Sequence, residues 1–185
     1  MTKTFNKAIK VMRYTRRFWY GVQCVLLVQW GTPYCRRYAL SGKIRVMKEI
    51  KIIECEPSSS EVRKLELLLQ SEWSDFSLND YSVDLPFPLV VISDGEVVGG
   101  LAFTFFKHPS QDNEVVWVNA LFVCPEYRGN GIAGKLVAMA TKEAASNGLK
   151  EMFAHTDVPN LYQSRGWSEV DTEAAPDHMV MSVAL

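Results

Sequence analysis

Residues 127–134 read Tyr-Arg-Gly-Asn-Gly-Ile-Ala-Gly, a run equipped to hold a phosphate. Glycine takes positive φ without a Cβ penalty, so Gly129 and Gly131 allow the backbone a close approach to an anion. Arg128 adds a cation. Beyond Gly131, Ile132, Leu136, Met139 and Ala140 recur at helical spacing. A helix opening there aims unbonded N–H groups and the positive end of its dipole at the same point. Lys135, one turn in, reads as a solvated side chain. The second chemical candidate is Tyr162, 34 residues after Arg128, in Leu-Tyr-Gln-Ser-Arg-Gly-Trp (161–167). A phenol with a pKa of about 10 is neutral at pH 7 and can donate a proton.

The elements around these residues follow from periodicity. Residues 49–56 alternate apolar and charged residues as a half-buried strand does. Ser58 and Glu61 have the spacing of a capping box, and Val62, Leu65, Leu69 and Trp73 mark one face of the helix behind it. Residues 74–88 are turn-rich and aromatic, as in a loop. Strands at 89–93 and 96–106 are joined by Asp94-Gly95, a hairpin signal. A polar loop leads to a strand at 115–123, and Asn147-Gly148 ends the helix that follows the glycine run. A strand at 149–156, a short helix at 159–167 with Pro159 in its first turn, and an alternating final strand complete the order. The sheet is therefore antiparallel in its first half, with one β-α-β crossover near its end.

Two templates compete for the loop. Gly129-Asn130-Gly131-Ile132-Ala133-Gly134 fits G-x-G-x-x-G, the dinucleotide-binding fingerprint of an oxidoreductase, with Asp157 as the acid after the next strand. That fold needs a strand running almost directly into the first glycine. Here Cys124 to Arg128 intervene, and a hairpin precedes them. The other template fits more of the chain. LFVCPEYRGNGIAGKL resembles motif A of the GNAT superfamily of acyl-CoA N-acyltransferases, whose R/Q-x-x-G-x-G/A is met by Arg128, Gly131 and Ala133. LYQSRGW resembles the family's L-Y-x-x-x-G-F/W segment. The resemblance covers about residues 49–185. It implies a mixed α+β fold with a mostly antiparallel sheet, a splayed pair of fourth and fifth strands, and flanking helices.

The resemblance also implies roles. Acetyl-CoA would be the cosubstrate and a primary amine the acceptor, by direct attack in a ternary complex. Arg128, Gly129, Asn130, Gly131, Ile132 and Ala133 would hold the pyrophosphate. The backbone of Leu121, Phe122 and Val123 would pair with the pantetheine arm, and the Val123 N–H would meet the oxyanion. Asn160 would reach the cofactor, and Tyr162 would be the general acid. The position of the fourth-strand glutamate that some members use as base falls at Trp117, which cannot act as one. Glu114 is the nearest carboxylate and the expected base; His155, Asp157 and His178 are alternatives acting through water. A GNAT-fold module that binds acyl-CoA or a partner without transfer is the competing reading.

Charge divides the chain. Residues 1–48 carry 11 Lys+Arg and no acid, and the remainder carries 9 Lys+Arg with all 21 Asp+Glu. The acidic part suits a cationic acceptor, either a small amine or a peptide, and does not suit nucleic acid. The aromatics at 73–88 are candidates for core or acceptor pocket. Residues 1–46 read as an extension ahead of a domain at 47–185, with a leader or membrane-contacting segment as the alternative. The run Phe18 to Trp30 is short for a span. Four cysteines without C-x-x-C and three histidines without a ligand pattern give no expectation of a disulfide or a metal. A cytoplasmic enzyme is expected, with self-association as a homodimer left open.

Overall fold

The computed structural model of the chain describes residues 49–79, 81–172, 174 and 177–185. The basic head, with its expected extension or leader, lies outside the described residues. Among the described residues seven strands form one sheet: β1 (Ile50–Glu54), β2 (Leu89–Ser93), β3 (Glu96–Lys107), β4 (Glu114–Val123), β5 (Glu151–Thr156), β6 (Ser168–Val170) and β7 (Met179–Ala184). Their spatial order is β1-β2-β3-β4-β5-β7-β6. Only β4 and β5 run parallel, as the single crossover requires; the other pairings are antiparallel. This arrangement is not the doubly wound parallel sheet of a dinucleotide-binding domain.

Among the described residues three α-helices flank the sheet: α1 (Ser60–Glu72), α2 (Ile132–Ser146) and α3 (Pro159–Gln163). The cap of α1 is one residue later than the capping-box spacing suggests. Ser59 Oγ accepts the Val62 N–H at 3.3 Å, while Glu61 sits in the first turn and accepts from the Ser60 hydroxyl. Val62, Leu65 and Leu69 bury the expected face of α1 with Val90, Ala102, Ala120 and Phe122. Trp73 and Phe76 join that cluster, so they are core. Tyr81 is a latch: its hydroxyl donates to the Pro86 carbonyl at 2.7 Å and accepts the Phe103 N–H at 3.3 Å. Of the loop aromatics considered for an acceptor pocket, Phe87 is the exposed one.

A bulge in β4 sets up the site. The β3–β4 register moves from Phe103↔Val118 to Ala102↔Ala120, which leaves Asn119 opposite no β3 residue. A one-residue insertion flips the side-chain alternation. Val116 and Val118 before the bulge, and Leu121 and Val123 after it, therefore pack in one cluster with Ile132, Leu136 and Val137 of α2. Trp117 faces the other way, with Val115, Phe153 and Val180. Parallel pairing of β4 with β5 covers Val116↔Met152 to Val118↔Ala154, so the two strands pair only up to the bulge.

Candidate active site

A cavity of about 320 Å³ opens beside the end of β4, between the α2 N-terminus and α3. Val123, Arg128, Gly131, Val158, Leu161 and Arg165 are among its lining residues. The strand end supplies backbone groups. The Cys124 N–H bonds to the Val98 carbonyl at 2.9 Å, so the adjacent Gly99↔Val123 pair is of the non-hydrogen-bonded kind. The N–H and C=O of Val123 thus point away from β3 and toward the cleft. Alternation gives Leu121 the same orientation and turns the Phe122 backbone toward β3. Phe122 differs from its two neighbours: its backbone belongs to the β3 ladder, and its ring packs in the α1 cluster.

The loop from Val123 to α2 makes a 3-10 turn at Pro125–Tyr127, then two left-handed glycines, Gly129 at φ +77° and Gly131 at φ +73°. Asn130 Nδ2 donates to the Tyr127 carbonyl at 2.9 Å and closes the turn from inside. Asn130 therefore shapes the loop. Arg128 Nε donates to the Val123 carbonyl at 2.8 Å, and its guanidinium lies 5.6 Å from the Phe122 ring centroid. Gly131 is the N-cap of α2, no side chain caps the helix, and its first turn holds no acid. The first intrahelical bond at this end is Lys135 N–H to Gly131 C=O. The N–H groups of Ile132, Ala133 and Gly134 consequently have no acceptor within the helix. Positive dipole, cationic side chain and open space above two glycines suit a pyrophosphate.

Tyr162 sits on α3, 1% exposed, with its ring edge-on to Trp167 at 5.0 Å. Burial, and secondarily the charge of Asp157, push its phenol well above the ordinary range. It stays protonated at any physiological pH and is a reluctant acid. The Asn160 side of α3 is exposed, and its carbonyl accepts the Ser164 N–H at 3.2 Å.

His155 follows Ala154, the last β5 residue paired to β4, so it stands where the strands part. Its ring stacks on His178 at 4.8 Å and 14°. Burial, reinforced by His178 and opposed by Asp157, lowers its pKa below 6.5. Glu114 is brought nowhere near this group. It begins β4, exposed, opposite Lys107, and nine residues of strand at roughly 3.3 Å each separate it from Val123 by about 30 Å. Trp117 lies on the same face as Phe153, 5.1 Å from its ring.

Arg165 was not singled out by sequence reasoning. Its Nε donates to the Gly134 carbonyl at 3.0 Å, and a Cβ on Gly134 would collide with its guanidinium. The available signal was a third glycine inside the first turn of a helix, a place where glycine is costly.

The profile of the acetyltransferase (GNAT) family matches residues 49–167. Solved structures agree in fold. A GNAT-family acetyltransferase from Streptococcus pneumoniae is 17% identical, with 74% of this chain and 99% of that chain covered at TM-score 0.55. Naa50 from Arabidopsis thaliana, in complex with the bisubstrate analogue CoA-Ac-MVNAL, is 20% identical, with 74% and 99% covered at TM-score 0.54. The NatC complex bound to Gag peptide and CoA is 18% identical, with 74% and 99% covered at TM-score 0.57. No curated protein matches the sequence. With the profile spanning most of the chain and both motifs in place on the sheet, the chain belongs to the acetyltransferase (GNAT) family.

Proposed function

We propose that the protein is an N-acetyltransferase that transfers the acetyl group of acetyl-CoA to a primary amine within a ternary complex. The observation that carries this reading is the parting of β4 from β5 after Val118↔Ala154, with the α2 N-terminus at one side and His155 at the other. When bound, acetyl-CoA supplies a thioester carbonyl. Arg128 and the amides from Gly129 to Ala133 hold its pyrophosphate, and Leu121 and Val123 offer backbone groups to the pantetheine arm. The Val123 N–H is placed to meet the carbonyl oxygen as it gains charge.

The chemistry forms a C–N bond and breaks a C–S bond. The amine nitrogen loses a proton, and the departing sulfur takes one. Tyr162 is the donor to sulfur, and its raised pKa keeps it protonated at neutral pH. His155 is the acceptor from the amine, through a water, because its lowered pKa leaves it neutral at pH 7. This assignment moves the base from Glu114, whose position at the far end of β4 does not favour it.

The acidic composition of residues 49–185 favours a cationic acceptor, either a small amine or a peptide N-terminus. The peptide and bisubstrate complexes of the neighbours add weight to the second. Among the described residues no helix is long and apolar enough to cross a membrane. A non-catalytic module of the same fold would bind acetyl-CoA and consume none. Assay of CoA release with a panel of polyamines and unblocked peptides separates the two. Turnover with any amine, reduced by Tyr162→Phe, supports the enzyme; tight binding with no turnover across the panel supports the module.

A further inference from the structure

Resting on the acetyl-CoA reading above, we propose that Arg165 is a second cationic ligand of the cofactor's pyrophosphate, and that Gly134 is the vacancy in α2 that admits it. Arg165 lies two residues past the end of α3, 31 residues along the chain from Gly134. Its Nε holds the Gly134 carbonyl at 3.0 Å, and one Nη donates to the Ser164 carbonyl at 3.2 Å and hydroxyl at 3.0 Å. These bonds fix the guanidinium plane against the first turn of α2, in the same cavity that Arg128, Gly129 and Gly131 line.

Several observations point to an anion between the two arginines. Arg165 brings a positive charge to the first turn of α2, where it bonds to the Gly134 carbonyl and the helix dipole offers a cation no support. The first turn of α2 contains no acid to offset it. Arg128 brings a second positive charge to the same cavity. Gly134 stands in the first turn of α2, where an added Cβ would meet the Arg165 guanidinium and make it shift. A doubly charged pyrophosphate lying against both arginines can accept charge-assisted hydrogen bonds from each, in the cavity that both line. Arg165 would also tie cofactor binding to the segment that carries Tyr162, three residues earlier on the chain. A merely structural arginine would hold α3 to α2 with the Gly134 bond alone and would leave phosphate affinity unaffected.

The test is calorimetric titration of the full chain with CoA, 3′-dephospho-CoA and pantetheine, comparing the unsubstituted protein with Arg165→Gln and Arg165→Lys. Glutamine keeps a donor and loses the charge. The expected result is a loss of about tenfold or more in affinity for CoA and for 3′-dephospho-CoA alike in Arg165→Gln, partial recovery in Arg165→Lys, and no change for pantetheine. Thermal unfolding of the ligand-free proteins confirms that each variant is folded. Unchanged CoA affinity in Arg165→Gln, or an equal loss for pantetheine, would overturn the proposal while leaving the acetyl-CoA reading intact. A loss for CoA that 3′-dephospho-CoA does not share would overturn the assignment to the pyrophosphate. Failure of the unsubstituted chain to bind CoA would overturn the acetyl-CoA reading, and the proposal with it.

Discussion

Arg128 Nε and the Val123 carbonyl, 2.8 Å apart, join the phosphate loop to the end of β4. That one bond couples two functions, because the Val123 N–H faces the cleft on the same side of the strand. Removing the side chain should therefore do more than delete a charge. Arg128→Ala is expected to weaken CoA binding about tenfold or more, in line with a lost charged hydrogen bond of roughly 1.5–3 kcal/mol. It should also lower kcat, since the strand end loses its restraint. Binding titration and steady-state kinetics on the same preparation check both. A fall in affinity with kcat untouched would mean that the Val123 tie does not matter for the chemistry.

Gly131 and Gly95 make a controlled pair. Both hold φ in the left-handed region, at +73° and +81°, and at both an added Cβ meets nothing within 4 Å. Alanine at either position should cost about 1–2 kcal/mol of stability from backbone strain alone. Only Gly131 caps α2 at the proposed phosphate site, so only Gly131→Ala should also lose CoA affinity. Chemical denaturation and titration of the two variants give the comparison. Equal loss of binding in Gly95→Ala would show that general destabilisation, not a blocked approach, is responsible.

Much of this architecture was readable from periodicity and turn chemistry. β2 falls at 89–93 as expected, and Asp94-Gly95 forms its turn with both residues at positive φ. α2 and its stop at Gly148 follow from spacing and a left-handed glycine. Local signals could not show the bulge at Asn119, because register is a property of two strands. The true orientation of the Phe122 backbone depends on that register and was hidden with it. β6, three residues long, is too short to carry a period. The His155–His178 stack joins the end of β5 to the residue before β7, a contact that only sheet order creates. Arg165 lay within the motif quoted for Tyr162, but nothing in one sequence says which arginine turns inward.

Tyr162→Phe removes the hydroxyl and keeps the ring against Trp167. If the phenol serves the leaving sulfur, kcat should fall by about 10²–10⁴, the usual range for a lost general acid. CoA affinity should change little, since Tyr162 does not line the cavity proposed for the phosphates. Single-turnover measurements at saturating acetyl-CoA isolate the step. A rate within twofold of the unsubstituted enzyme would assign Tyr162 to packing alone.

The pH dependence follows from His155, whose native pKa lies below 6.5 because burial and His178 disfavour its charge, outweighing Asp157. As base, it is competent when neutral, so the acidic limb of the rate profile should lie below pH 6.5 and activity should rise through it. His155→Gln should lower the rate and remove that limb, while Glu114→Gln should leave both unchanged. Stability gives an independent readout with its own sign. Between the native pKa and 6.5 the unfolded chain binds more protons at this residue than the folded one. The imidazole therefore contributes stability that is fully present above 6.5 and is lost as pH falls through this window. Denaturation followed across that range should show the slope in the unsubstituted protein and a smaller one in His155→Gln. A persistent kinetic limb with the stability slope reduced would keep His155 as a buried neutral imidazole and place the base on another group.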